Sequence, residues 1–358
     1  MSRKRQIAAA VLAFLLVLGT TGCGEMDDGP EAGEDDRLKI VCTIFPEYDW
    51  VREILGEQAE EAELTLLMKN GADLHSYQPT VWDMRKIAGA DLFLYVGGES
   101  DFWIEAALAH TENPGQITLN LMEILGESVK EEEDPEGVQP SGGHEHAGHG
   151  HHGEETEHEP EEYDEHVWLS LRNAQTACRA VTEALCRLDE AHGTLYEENN
   201  QEYTKKLQMM DRAYAEAVEQ ASAPVLLFGD RFPFRYLAED YGITCYAAFA
   251  GCSAETEASF ETITFLAEKA GELGLPAVMK IDGSDGRIAR TIAGNTRTGD
   301  QKVLLLNSMQ SVSGQEIEAG ETYIGIMERN LEALKEALAV TGGRSYGAAV
   351  VQKCGIGI

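Results

Sequence analysis

A repeated alternation of short apolar runs with helix-like stretches limits the fold of this chain more than any other feature. The runs are rich in Val, Ile and Leu, as expected of strands that are buried on both faces of a sheet. Strands that alternate with helices indicate parallel sheets built from βαβ units. The predicted strands are residues 38–45, 64–68, 91–97 and 116–120 in the first half and 225–229, 243–249, 277–281 and 302–307 in the second.

A long amphipathic helix separates the two halves. Apolar or aromatic residues recur between residues 195 and 220 at gaps of three, four and seven, which predicts a helix about 39 Å long. The expected fold class is therefore α/β, with two lobes that each hold a parallel sheet and flanking helices, joined by one long rigid α-helix. The expected boundaries are residues 38–194 for the N-terminal lobe, 195–222 for the helix, 223–341 for the C-terminal lobe and 342–358 for a tail of no assigned role.

Residues 127–165 interrupt the first half with a loop of Glu, Gly, His and Pro that is too polar to form a core. Neutral imidazole suits Zn²⁺, Cu²⁺ and Ni²⁺. A flexible loop loses entropy when it coordinates an ion, so we expect it to collect metal weakly. A solvating or interaction segment is the alternative. Six of the ten histidines lie in this loop: His144, His146, His149, His151, His152 and His158.

The N-terminus has the pattern of a secretion signal. A basic start is followed by an apolar run over residues 7–18 and by small residues before Cys23. The run is too short to span a bilayer, so we expect residues 1–22 to be removed. Small residues before a Cys resemble the lipobox of bacterial lipoproteins, which implies that Cys23 is acylated. An ordinary cleaved signal is the alternative. Residues 23–37 then form an acidic tether on the extracytoplasmic face of a bacterial cell membrane.

Charge narrows the class of ligand. The chain carries 28 Lys and Arg against 63 Asp and Glu, for a formal net charge of -35, which argues against nucleic acid or an anionic membrane surface as the partner. Cations are the ligands that such a chain repels least. The cysteines are scattered and do not indicate a disulfide scaffold, and whether Cys245 pairs with Cys252 is left open.

Two histidines lie where an ordered binding site is expected. His75 sits in GADLHSYQP, just after the second predicted strand, and His166 sits in DEHVWL, where the polar loop ends. Loops at the carboxyl ends of parallel strands are where such sheets bind ligands. A single His near a strand end is more often a hydrogen-bonded surface residue, and that interpretation is kept for His110 and His192.

These two motifs, followed by a long helix, resemble the metal-binding receptors of zinc and manganese ABC importers over about residues 38–340. The resemblance implies a binding protein without catalysis, with a buried metal between two lobes and with His75 and His166 as ligands. The His-rich loop at this place is typical of the zinc branch. An ABC permease and its ATPase are the implied partners, and a monomer is expected.

The remaining ligand positions depart from the family pattern. The family's third ligand lies five residues before a Tyr, and the same count back from Tyr236 ends at Arg231, which is always protonated and cannot bind a metal. Asp230 is predicted to replace it. Where the family has an Asp as fourth ligand this chain has Asn307, with Asp282 as the fallback. Two His and one carboxylate favour Zn²⁺ over Mn²⁺ as the bound cargo, since Mn²⁺ prefers more oxygen ligands.

Two other functions remain as alternatives. A secreted zinc metallohydrolase would also use two His and a carboxylate, with water in the open position. The sequence has no H-E-x-x-H motif and no nucleophile elbow. The second alternative is a Mn²⁺ receptor or adhesin of the same family.

Overall fold

Two parallel four-stranded sheets organise the residues that the computed structural model describes, which are 37–69, 71–132, 136, 163–253 and 257–339. The first sheet has the strand order β2-β1-β3-β4 and the second has the equivalent order β6-β5-β7-β8. The strands are β1 Lys39–Cys42, β2 Glu63–Leu66, β3 Leu92–Tyr95, β4 Ile117–Asn120, β5 Val225–Arg231, β6 Thr244–Phe249, β7 Ala277–Lys280 and β8 Lys302–Leu305. Every strand pair is parallel, which confirms the predicted α/β fold.

Helices connect successive strands and flank both sheets. Several begin at a side-chain cap, as when the hydroxyl of Ser170 accepts hydrogen bonds from the backbone N–H groups of Arg172 and Asn173. The described α-helices are α1 Phe45–Leu55, α2 Val81–Ala88, α3 Ile104–Leu108, α4 Leu121–Leu125, α5 Leu171–Leu188, α6 Gly193–Glu219, α7 Arg235–Tyr241, α8 Phe260–Glu272, α9 Arg287–Asn295, α10 Gly314–Glu318 and α11 Tyr323–Ala337.

The predicted long helix is α6, which has 27 residues and begins two residues earlier than the apolar pattern indicates. Its buried face packs on helices from both lobes. Asn199 donates a hydrogen bond to the carbonyl of Ile54 in α1 at 2.9 Å, and the Tyr214 hydroxyl donates one to the carbonyl of Met327 in α11 at 2.8 Å. The helix therefore contacts both halves directly, as the predicted fold requires.

One apolar cluster runs from the first sheet into the second. It includes Ile40 and Leu94 from the first sheet and Phe228 and Met279 from the second, all fully buried. Burying a side chain of this size stabilises a fold by about 1.5–3 kcal/mol relative to leaving it in water. The continuous core therefore holds the two lobes against each other.

Loops at the carboxyl ends of the two sheets also meet. The Gly314 N–H donates to the carbonyl of Lys69 at 2.7 Å, the Trp168 indole donates to the carbonyl of Ser308 at 2.9 Å, and the Tyr236 hydroxyl donates to the carbonyl of Asp164 at 2.7 Å. Ligands bind α/β sheets at this end of the strands, beside the strand where the order reverses. The fold thus brings the predicted site loops of both lobes into one region.

Several predictions fall outside the described residues: the signal peptide 1–22, the lipidation site Cys23, nearly all of the tether 23–37, the six loop histidines (His144, His146, His149, His151, His152 and His158) and the tail 342–358. Within the described ranges, every helix is too short or too polar to cross a membrane.

Candidate metal centre

His75 stands on a single helical turn, Leu74–Ser76, in the loop after β2. The carboxylate of Asp73 begins this turn and accepts a hydrogen bond from the His75 backbone N–H at 3.0 Å. On the imidazole, Nδ1 lies 2.8 Å from the hydroxyl of Ser100. These contacts orient the ring so that its other nitrogen, Nε2, faces His166.

His166 is 0% exposed and precedes the turn Val167–Leu169. One oxygen of Asp164, Oδ1, accepts a hydrogen bond from the His166 backbone N–H at 2.8 Å and lies 2.9 Å from Nδ1 of the ring. A carboxylate only accepts hydrogen bonds, so the ring proton is assigned to Nδ1. The lone pair of Nε2 is then free to bind a cation.

The two imidazoles face each other through their Nε2 atoms. Nε2 of His75 and Nε2 of His166 are 3.2 Å apart, and the ring centroids are separated by 5.1 Å. Two nitrogens that each bind a tetrahedral zinc ion at about 2.0–2.1 Å lie roughly 3.3 Å from each other. The spacing therefore matches that of two ligands on one zinc ion.

The electrostatics keep His75 neutral. Burial lowers the pKa of His75 to about 3, and the neighbouring His166 ring opposes its protonation further. Burial also raises the pKa of Glu165, whose Oε2 lies 3.5 Å from Nδ1 of His75. Neutral imidazole is the form that binds metals.

Two cavities open on either side of His75. One has a volume of about 580 Å³ and is also lined by Asp230 and Asp282. The other has a volume of about 860 Å³ and is also lined by Glu132 and Cys252. His166 lines neither cavity and is enclosed behind His75. An ion in the cleft would reach His75 from either cavity.

Cys252 is a candidate ligand that the sequence analysis missed. It lies in the turn after β6, and its Sγ and one nitrogen each of His75 and His166 all lie within 4.8 Å of one another. Burial raises the pKa of the Cys252 thiol, and the carboxyl group of Glu132 raises it further. Both Cys252 and Cys245 are free thiols, so the pairing left open above is not formed. The position of Cys252 just after a parallel strand was the one feature of the sequence that could have marked it as a candidate ligand.

Asp230, the predicted third ligand, lies near the end of β5 and is 9% exposed. Its Oδ1 accepts a hydrogen bond from the backbone N–H of Arg231 at 3.0 Å, whereas Oδ2 is buried and has no hydrogen-bond partner among the residues that the structure describes. It lines the smaller cavity together with His75 but lies outside the group formed by His75, His166 and Cys252. Its role as a ligand stays a prediction.

Asn307, the predicted fourth ligand, lies in the loop after β8, and its role as a ligand stays a prediction. Its side-chain oxygen accepts a hydrogen bond from the Met309 N–H at 2.7 Å, and its backbone bonds in both directions with the amide of Asn330. The fallback residue, Asp282, lines the smaller cavity, but its two oxygens accept hydrogen bonds from Ser308 and Ser311. Both side chains hold the loop after β8 in place.

His110 and His192, which were predicted to be surface residues, lie outside the candidate site. His192 precedes α6, and its Nδ1 lies 2.7 Å from Oδ2 of Asp189. His110 is exposed after α3. Neither belongs to the metal-ligating group found among the described residues.

Comparison with known proteins gives one family. Residues 40–337 match the family model described as ZnuA, the periplasmic component A of the zinc-uptake complex. The high-affinity zinc uptake system protein ZnuA of Bacillus subtilis is 29% identical over 328 residues, which are 91% of this chain and 95% of that protein. The zinc-binding lipoprotein AdcA of Streptococcus pneumoniae is 28% identical over 329 residues; the match covers 91% of this chain but only 60% of AdcA.

Solved structures agree. The Zn(II)-bound ZnuA-like domain of Streptococcus pneumoniae AdcA superposes on 84% of this chain and 99% of that domain, with a TM-score of 0.64 and 26% sequence identity. The part of the longer pneumococcal protein that this chain matches is therefore its ZnuA-like domain.

Proposed function

Because this chain belongs to the ZnuA family of zinc-uptake component A proteins, we propose that it is an extracytoplasmic receptor that captures Zn²⁺ and delivers it to an ABC importer. The function needs a site that binds the ion and releases it again without chemical change. The proposed cargo ligands in the cleft are His75 and His166, and Asp230 is proposed as a carboxylate that faces the same ion from the cavity wall.

The observation that supports this function best is the 3.2 Å separation of the two Nε2 atoms. Two unprotonated nitrogens that face each other at this distance repel each other unless a cation or a proton lies between them. The low pKa of His75 disfavours the doubly protonated ring, so the imidazole is neutral and can offer Nε2 to an ion when its one proton resides on Nδ1, beside Ser100 and Glu165. A divalent ion that prefers imidazole resolves the repulsion, and Zn²⁺ is such an ion, whereas Mn²⁺ prefers carboxylate and water.

Delivery of the ion requires a partner in the membrane. The partner is a membrane permease with its ATPase, and the receptor is held at the membrane as a monomer by a lipid on Cys23. The six histidines of the loop 127–165 collect ions weakly and raise their concentration near the cleft. We propose no catalytic activity for the chain.

Calorimetric titration of the purified protein with Zn²⁺ tests the proposal. We expect one tight site in the wild type and its loss in both His75→Ala and His166→Ala. His192→Ala is the matched control, since its ring also contacts a carboxylate but lies outside the group. Retention of the tight site in either of the first two variants would contradict the proposal. Titration with Mn²⁺ should show much weaker binding.

A further inference from the structure

We propose that Cys252 is the third protein ligand of the zinc site, so that the ion is bound by two imidazole nitrogens and one thiolate sulfur. This inference rests on the proposed function and specifies its ligand set. The geometry that supports it is the mutual approach of one ligand atom each from His75, His166 and Cys252 to within 4.8 Å. It is the one such group that the described residues contain.

The distances suit a mixed nitrogen and sulfur site. A tetrahedral zinc ion with Zn–N bonds of about 2.0–2.1 Å and a Zn–S bond of about 2.3 Å separates the nitrogen and the sulfur by roughly 3.6 Å. The thiol lies within reach of that spacing, because rotation about the Cα–Cβ bond moves its sulfur while the backbone stays in place. The histidine nitrogens already lie at the required separation from each other.

Glycine at position 251 lets the turn that bears Cys252 approach the histidines. A Cβ atom built on Gly251 would lie 2.9 Å from the carbonyl oxygen of Phe232 and 3.3 Å from Cε1 of the His166 ring. The contact to the Phe232 carbonyl is shorter than a real Cβ tolerates against backbone, so a larger residue would push the turn away, and the His166 ring would also have to shift slightly. The backbone N–H of Cys252 donates a hydrogen bond to Oε1 of Glu132 at 3.1 Å, which fixes the turn on its other side.

Arg231 joins the two loops that supply the ligands. Its guanidinium pairs with the carboxylate of Asp73, two residues before His75, and donates a hydrogen bond to the carbonyl of Ser253, one residue after Cys252, at 3.5 Å. A planar guanidinium can hold two such partners in a fixed relative position. Arg231 is therefore a positioning residue that sets the distance between His75 and Cys252.

The surroundings of Cys252 differ from those of a cysteine that serves only to fill a core. Cys178 is such a residue, since it is fully buried in α5 within the apolar cluster. Cys252 instead faces a cavity that it shares with His75, Glu132 and Glu165. Polar and metal-binding neighbours are expected around a ligand and not around a packing residue.

The chemistry of binding is an exchange of a proton for a metal ion. Zn²⁺ forms a bond to the sulfur, and the thiol proton leaves to solvent, with no change in oxidation state. A thiolate is a soft ligand that favours Zn²⁺, Co²⁺ and Cd²⁺ over Mn²⁺ and Mg²⁺. With three protein ligands, water or the carboxylate of Asp230 would complete the four-coordinate shell that Zn²⁺ prefers.

Cobalt spectroscopy tests the ligand set directly. One equivalent of Co²⁺ is added to the reduced wild-type protein, and the near-ultraviolet band that arises from charge transfer between a thiolate and Co²⁺ is measured. We expect the band in the wild type and in Cys245→Ser, the matched control from the preceding strand, and its absence in Cys252→Ser. Since loss of even an outer partner costs a metal site roughly 10–100-fold in affinity, Cys252→Ser should weaken Zn²⁺ binding by at least that factor.

A second measurement needs no variant. The wild-type protein is treated with an alkylating reagent with and without one equivalent of Zn²⁺, and modification is located by mass spectrometry. We expect Zn²⁺ to protect Cys252 and to leave the modification of Cys186 and Cys245 unchanged. This result holds even if the serine variant fails to fold.

The outcomes separate the two proposals. Tight Zn²⁺ binding without a thiolate band, or without protection of Cys252, would overturn the ligand assignment and leave the receptor function intact. Failure of the wild type to bind Zn²⁺ or Co²⁺ would overturn both. A thiolate band that disappears only in Cys252→Ser supports the assignment.

Discussion

Asp164 contacts His166 twice through a single oxygen, Oδ1, which accepts the backbone N–H at 2.8 Å and lies 2.9 Å from Nδ1 of the ring. The contact to the ring fixes the tautomer, and the contact to the backbone fixes the position of the residue that bears it. Carboxylates that hold a metal-binding imidazole in this way also increase its basicity.

Asp164→Asn is expected to weaken Zn²⁺ binding by roughly 10–100-fold, because an amide no longer specifies which ring nitrogen of His166 carries the proton. Isothermal titration with a competing chelator measures the change. Asp189→Asn is the control, since it alters the equivalent contact to His192 outside the site. Equal affinities of Asp164→Asn and the wild type would show that the carboxylate does not orient the ligand.

Gly251→Ala is expected to lower both stability and Zn²⁺ affinity. The new methyl group would meet the carbonyl of Phe232 and the ring of His166, and such overpacking costs about 1–3 kcal/mol. Chemical unfolding and zinc titration measure the two effects. Gly294→Ala is the control, because a Cβ at this position in α9 meets no atom within 4 Å, and alanine there should stabilise the helix by up to about 1 kcal/mol.

The stability of the protein is expected to fall as the pH rises toward 8, and Glu47 should account for part of this. Glu47 is buried in the first turn of α1; burial raises its pKa from 4.5 to about 8, and the charge of Asp101 adds to the shift. The folded protein therefore holds this proton more tightly than the unfolded chain does. Between these two pKa values the free energy of unfolding decreases with pH, by at most about 1.4 kcal/mol per pH unit for one proton.

Glu47→Gln removes this titration while it keeps the shape of the side chain. Urea unfolding near pH 5 and near pH 8 should show the variant gaining stability relative to the wild type at the higher pH. Glu202→Gln, at an exposed position on α6, should show no such pH dependence. A difference between Glu47→Gln and the wild type that stays constant with pH would contradict the expectation.

Replacement of residues 137–162 by a short Gly-Ser linker is expected to remove weak zinc sites and to leave the tight one. The six loop histidines lie in this segment, whereas Glu132, which bonds to the Cys252 N–H, and the bridge between Glu131 and Tyr163 are retained. Stoichiometry and affinity from the same titration separate the two kinds of site. Loss of the tight site would place the main ligands in the loop instead of the cleft.

The fold could be predicted from the sequence because the apolar residues of its strands and of its long helix recur at regular spacing. The apolar runs of β1 and β5 and the spacing of buried residues along α6, from Tyr196 to Val218, follow directly from which faces these elements bury. His75 and His166 were recognised because each stands in a motif several residues long. Their approach to each other depends on the loops at the ends of two lobes, and only the structure gives that distance.

The rest of the site has no such pattern. Asn307 and Asp282 follow strands, as a ligand would, yet their side chains are used to hold the loop after β8. Cys252 also follows a strand, and nothing in the spacing of six scattered thiols distinguishes it from Cys245. Which of these residues faces the histidines is decided by hydrogen bonds between loops that are distant in the sequence, such as the link from Arg231 to Ser253.

His166 is fully buried, whereas the His75 side chain is 10% exposed and lines both cavities, and under the proposed function this difference sets an order on ligand exchange. If these two rings bind the cargo as proposed, a hydrated ion that enters from either cavity meets His75 first and exchanges a further water molecule for the inner imidazole afterwards. Departure follows the reverse sequence, so the bond to His166 is the first to break. The rate at which the cargo leaves is then governed by the more deeply placed of the two rings.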